Sequence, residues 1–309
     1  TSDAALFSLV KNSPDLMQQN IRTIFPFKAS RTTRLICLAI AFFIGLCFTS
    51  LITTTVPADN RAALLFQSAV QSVVAFILPA WVAFKAFYIS PEKDLGISDG
   101  YPVRSLLVTL LTMACAIPFL NEVIAFNESI SFPASLQSAF REWEATAGAY
   151  TERMLDTTTV GGMLSGVLVI GVLTGTAEEI FFRGALQKML LGPGVNRHGA
   201  VWLAALVFSI MHFQPFGFIP RLLLGAFFGY LYMWSGSIWL SATAHAFNNS
   251  LVVIFTWLAH RGADISFYEH CGTAENGTLW MAFVSLALSV GMIFACSKYI
   301  SRKHPSKSS

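Results

Sequence analysis

Long apolar stretches alternate with short polar breaks along nearly the whole chain, and most of the stretches approach the roughly 20 residues that a helix needs to cross a bilayer. The pattern predicts spans at 34–56, 62–84, 104–126, 160–182, 199–214, 218–234, 237–259 and 279–300. The fifth and sixth are short and are parted by the turn signal Gln214-Pro215-Phe216-Gly217, so their ends are the least fixed. The expected fold class is all-α, a polytopic transmembrane helix bundle of about eight spans that makes a single membrane domain of residues 1–309. One connection is longer than the rest. From about 127 to 159 the chain is acidic, and Leu136, Phe140, Trp143, Ala147, Tyr150 and Met154 recur at steps of four and three, which draws one apolar stripe along a helix. This amphipathic connecting segment is expected to pack on the bundle or lie in the outer interface, with a lid or docking surface as the sharper reading.

Composition agrees with a bilayer environment: 54% of the residues are hydrophobic and only 12% are charged, more apolar material than a soluble core of 309 residues needs. A net charge of +3, with basic residues gathered at the two ends, gives no nucleic-acid signal. The sequence Ser301-Arg302-Lys303-His304-Pro305-Ser306-Lys307 is a short basic flank. The five cysteines have no paired spacing and suggest neither a disulfide framework nor a thiolate metal site. The first apolar run starts after about thirty residues and is as long as the later ones, so it is expected to stay as a span and not to act as a cleaved signal. With an even number of spans both termini share a side. Fourteen of the twenty Lys and Arg then fall on that side, five (Arg61, Arg141, Arg153, Arg221, Arg261) fall on the other, and Arg183 lies within the membrane. Retention of positive charge inside predicts cytoplasmic termini, in a cell (inner) membrane.

A charged side chain inside a membrane helix costs at least about 2.5 kcal/mol, so a cluster of them requires partners or a function. The fourth span holds one such cluster, Ala177-Glu178-Glu179-Ile180-Phe181-Phe182-Arg183-Gly184. Glu179 and Arg183 are four apart with the acid first, the favourable order for an ion pair on one helical face. Structural pairing suffices to explain them. Glu178 points about 100° away round the helix and needs a partner from another one. His212 and His245, on the fifth and seventh spans, are the candidates. A single membrane histidine is more often an interhelical hydrogen bonder than a catalyst, but Asn249 follows His245 by four and shares its face, whereas Asn248 is turned away. A carboxylate, an imidazole and a second pair of donors make a water-activating site with an oxyanion cradle.

These residues resemble the CAAX protease and bacteriocin-processing family of intramembrane endopeptidases, also called the Abi or CPBP family. The family pattern Glu-Glu-x-x-x-Arg, then Phe-x-x-x-His, then His-x-x-x-Asn is matched by Glu178-Glu179 with Arg183, Phe208 with His212, and His245 with Asn249, in that order. His212 stands 29 residues after Arg183 and His245 stands 33 after His212. The resemblance covers 160–260, a catalytic core on four consecutive helices. It implies a peptide hydrolase acting on a membrane-associated peptide or protein: Glu178 as general base with His212, His245 and Asn249 on the oxyanion. Members are of metallo- or glutamate type, and if zinc is present, Glu178, His212 and His245 are its implied ligands. The flanking residues look like the prokaryotic branch, so a prenylated substrate is not expected. The rival function is a transporter or proton-relay protein built on the same buried Glu/His cluster, for which the glycines of the fourth span (Gly161, Gly162, Gly166, Gly171, Gly175) give weak support, since close helix packing explains them equally. A non-catalytic scaffold with the acidic segment as its binding surface is a third reading. Ideal helices on the boundaries above put Glu178 near the cytoplasmic side and His212 past the midplane, so either the fourth helix sits deeper or the fifth begins closer to His198 and tilts.

Overall fold

Four helices begin where the sequence supplies a polar cap. Ser30, Asn60, Thr159 and Asn196 each accept the backbone N–H three residues on, which satisfies a donor that the first helical turn leaves free. A computed structural model gives the architecture and describes residues 28–88, 91–192 and 194–303; the basic flank beyond 303 lies outside these. The elements are α1 (Arg31–Thr54), α2 (Arg61–Phe87), α3 (Val103–Glu128), α4 (Ala134–Leu155), α5 (Val160–Leu190), α6 (Arg197–Ile210), α7 (Pro215–Ser235), α8 (Ile238–His260) and α9 (Leu279–Lys303). Seven of them are long and apolar enough to span a bilayer, and the described residues form no strand. The protein is an all-α, multi-pass membrane bundle. Ile40, Phe43, Leu107, Leu168, Phe283 and Phe294 are each more than half exposed, as side chains facing lipid must be.

Two boundaries differ from the sequence pattern. The expected fifth span stops at Ile210, so α6 has 14 residues and a length of about 21 Å, short of the roughly 30 Å hydrocarbon layer. The fourth continues to Leu190, eight residues past the expected 182, giving α5 31 residues. Glu178 therefore lies well before the end of α5, and α6 begins at Arg197, next to His198.

α5 is the central element. Phe181 packs on Phe42 of α1 and Phe76 of α2 with ring centroids 5.0 and 5.7 Å apart, and Phe182 packs on Phe208 of α6 at 5.2 Å. Toward α8 the helix is smooth. A methyl added at Gly175 would stand 3.2 Å from the Ala246 backbone nitrogen, and one at Gly171 would stand 2.3 Å from Ser250 Oγ. Those two glycines permit close helix packing, which leaves the glycine argument for a transporter without force. Two π-helical turns, Val167–Thr174 and Ile180–Gln187, flank the α-helical turn Gly175–Glu179. The acidic segment forms helix α4, tied at its far end by Arg61, whose guanidinium donates to Met154 O at 2.7 Å, Gly162 O at 2.7 Å and Ser165 Oγ at 3.0 Å. Met154 is buried against Leu64 and Leu65 of α2.

Candidate functional site

The turn Gly175–Glu179 presents two carboxylates to one imidazole. Arg183 Nη1 donates to Glu179 Oε1 at 2.6 Å, and both side chains are fully buried. The second guanidinium nitrogen donates to Gly225 O at 2.9 Å, and the guanidinium lies 4.6 Å from the centre of the Phe208 ring. The ion pair read from the four-residue spacing is therefore present and enclosed. A carbonyl exposed by the glycine on α7 takes part of the arginine's donor set, and a lone buried pair without such extra bonds would not repay its desolvation.

His245 sits between the acids. Its Nδ1 is 2.9 Å from Glu179 Oε1, and its Nε2 is 3.6 Å from Glu178 Oε2. A carboxylate oxygen already bonded by Arg183 acts as acceptor, so Nδ1 carries the hydrogen and Nε2 is turned on Glu178. The ring stacks on Phe228 with centroids 4.9 Å apart and meets Phe208 edge-on at 5.7 Å. Glu178 thus meets a partner from another helix, as its place on α5 requires. The two side chains leave the helix at different angles, but an imidazole is wide enough to meet one carboxylate on each side. Glu178 retains some exposure, 12% of its side chain, whereas Glu179 has none.

His212 lies just past the end of α6. Its Nδ1 bonds Phe208 O at 2.7 Å, and because a carbonyl can only accept, Nδ1 is the donor and Nε2 keeps its lone pair. Glu178, His245 and Arg221 are all within electrostatic reach of this ring. The next residue, Phe213, has φ +52°, the one non-glycine positive φ among the described residues. Such a backbone is sparsely populated and is held only by its surroundings. Asn249 spends one amide hydrogen on Ile170 O at 3.2 Å, and its Oδ1 accepts from Asn248 at 3.3 Å. The second amide hydrogen is left for a ligand. Among the described residues no three His, Cys, Asp or Glu side chains stand close enough together to hold a metal ion. As placed, Glu178, His212 and His245 do not make a zinc ligand set.

Beside this centre a cavity of about 510 Å³ opens between α3, α7, α8 and α9. Its wall is mainly apolar, with Met113, Leu224, Phe227 and Val290, and it includes Arg221 and Asn248 but not Glu178, His212, His245 or Asn249. Sequence reading missed Arg221, Gln214 and Glu144 as neighbours of the site. The Gln214-Pro215 turn signal directly after His212 was the available hint.

A multi-pass helix bundle with a cluster of acids, imidazoles and an arginine inside its apolar layer is the class these observations define. Residues 161–251 match the family model described as type II CAAX prenyl endopeptidase Rce1-like, so this part of the chain is similar to that family, in keeping with the motif resemblance. A relative in Bacillus subtilis (strain 168), the uncharacterized protein YpbD, is 30% identical over 83 residues, 26% of this chain and 39% of that protein. The match thus spans well under half of the relative's length. No solved structure matches the chain.

Proposed function

We propose that the protein is an intramembrane endopeptidase that cleaves a membrane-associated peptide by direct attack of water. The observation that carries this reading is His245 held between Glu179 and Glu178, with the first acid neutralised by Arg183 and the second partly open. Glu179 and Arg183 orient the ring and leave Glu178 as the reactive carboxylate. In the first step Glu178 takes a proton from a water that also hydrogen-bonds the lone pair of His212 Nε2. The water oxygen bonds to the peptide carbonyl carbon, and the carbonyl π electrons move onto its oxygen. An Nε2 hydrogen that His245 carries as the imidazolium from the start of the cycle and keeps throughout, and the free amide hydrogen of Asn249, stabilise that oxyanion. As the intermediate collapses the C–N bond breaks, and Glu178 returns its proton to the departing amine. No acyl-enzyme forms. The cavity beside Asn248 suits a bulky apolar side chain of the substrate, with a size in the range of ligand pockets.

The test uses protein in lipid nanodiscs and a library of apolar membrane-inserted peptides, with new termini read by mass spectrometry. Wild type is expected to cut a subset next to a large apolar residue, and Glu178→Gln is expected to lose at least about a hundredfold in rate, the usual worth of a positioned general base. Cleavage at wild-type rate by the Glu178→Gln protein sinks the mechanism.

A further inference from the structure

The turn that carries His212, residues 211–217, is clasped from outside by the acidic helix. Glu144 Oε1 accepts from Gln214 Nε2 at 3.0 Å, and Glu144 Oε2 accepts the Phe216 backbone N–H at 3.3 Å. Gln214 is itself doubly engaged by Arg221, whose Nη2 donates to Gln214 Oε1 at 2.7 Å and Nη1 to Gln214 O at 3.2 Å. From the bundle side Asn127, which is buried, donates to Pro215 O at 2.9 Å and accepts the Ile219 N–H at 2.6 Å. Trp143 of α4 meets the Phe213 ring edge-on at 6.0 Å, and the Arg141 guanidinium lies 3.7 Å over Phe216. Phe213, with its positive φ, keeps 60% of its surface exposed and is touched from α4 by Trp143, one peptide bond from His212. A strained residue persists only where neighbours over-determine it. About half of the contacts that hold the turn as a whole come from α4, outside residues 161–251.

We infer that Glu144 is a positioning residue: through Gln214 and the Phe216 N–H it fixes the turn and so holds the His212 ring level with Glu178. α4 is then a working part of the site. Glu144 touches none of the reacting atoms. What His212 does chemically rests on the proposed peptidase reading, whereas the clasp and its effect on His212 do not.

The bonds allow an exchange test, because Glu144 and Gln214 can trade side chains. In Glu144→Gln/Gln214→Glu the amide at 144 donates to the acid at 214 and accepts from Phe216, while that acid keeps accepting from Arg221. Each hydrogen bond survives with its donor reversed where needed. Gln214→Glu alone sets two carboxylates against each other, and Glu144→Ala removes both acceptors. Hydrogen exchange of the peptide covering 208–219 is measured in nanodiscs, together with the His212 ring resonance in histidine-labelled protein, assigned by its loss in His212→Gln. Both single variants are expected to exchange about tenfold faster at 211–217 and to shift the His212 signal, in keeping with loss of one charge-assisted hydrogen bond. The double variant is expected to return to near the wild-type values. On the peptides cut by wild type, kcat is expected to fall about tenfold in the single variants with KM little changed, and to recover in the double variant. Unchanged exchange and an unmoved His212 signal in the single variants, or a double variant no better than either, overturn the clasp even if wild type cleaves peptides. The expected exchange pattern in a protein that cuts nothing supports the clasp and removes the peptidase.

Discussion

Arg183 is the residue whose loss the structure makes most costly. It is fully buried, it neutralises Glu179 at 2.6 Å, and it ties α5 to the Gly225 carbonyl of α7. Arg183→Met leaves Glu179 enclosed without its counter-charge, so a loss of about 3–5 kcal/mol is expected, read as a lower midpoint of thermal unfolding in detergent. Arg183→Lys is not expected to restore it, since an ammonium cannot reproduce the forked contact with both an acid and a carbonyl. An unfolding midpoint that stays put in Arg183→Met disproves the argument. At this scale the sequence was informative in proportion to how local each contact is. The Glu179 and Arg183 pair follows from a spacing of four on one helix. The partner of Glu178 does not, because it depends on where α8 lies. His245 was identified as a candidate from its unusual place in an apolar run, but its bridging of both acids required the close approach that Gly175 allows.

Among the helices, the closest approach of backbones decides which substitutions the fold tolerates. A methyl added to Gly45 of α1 would stand 2.4 Å from the Val74 carbonyl oxygen of α2, and a backbone atom cannot swing aside as a flexible side chain can. Gly45→Ala is therefore expected to force α1 off α2 and to cost about 1–3 kcal/mol in detergent unfolding. Gly148 of α4 has open space around it, and Gly148→Ala is expected to gain up to about 1 kcal/mol from helix propensity. Equal effects of the two substitutions contradict this account. The existence of the long helices was legible from apolar run length, while their ends were read less well. The apolar pattern ends this span at 182, whereas the helix runs on past Arg183 and Gln187 to Leu190. In the bundle they donate to the carbonyls of Gly225 and Gly229, at 2.9 and 3.1 Å. Polar residues mark a helix end only when water is their partner.

For the molecule as a whole, the bias of Lys and Arg leads us to propose that both termini face the cytoplasm, which puts α4 and the His212 turn toward the outer side. In a cysteine-free background Glu275→Cys, in the loop between α8 and α9, is expected to react with a membrane-impermeant maleimide on intact cells, and Ser98→Cys, between α2 and α3, only after permeabilisation. The reverse labelling pattern overturns this orientation. The sequence by itself determined that the chain is a helical membrane bundle and which six polar residues carry its candidate chemistry, because bilayer thickness fixes run length and the cost of a buried charge makes each exception visible. Tertiary structure alone decided the placing of one imidazole between two acids and the clasp of α4 on the His212 turn. Those are contacts between residues 66 to 70 positions apart along the chain, and no periodicity in a one-dimensional pattern encodes which helices become neighbours or how far each slides along the next.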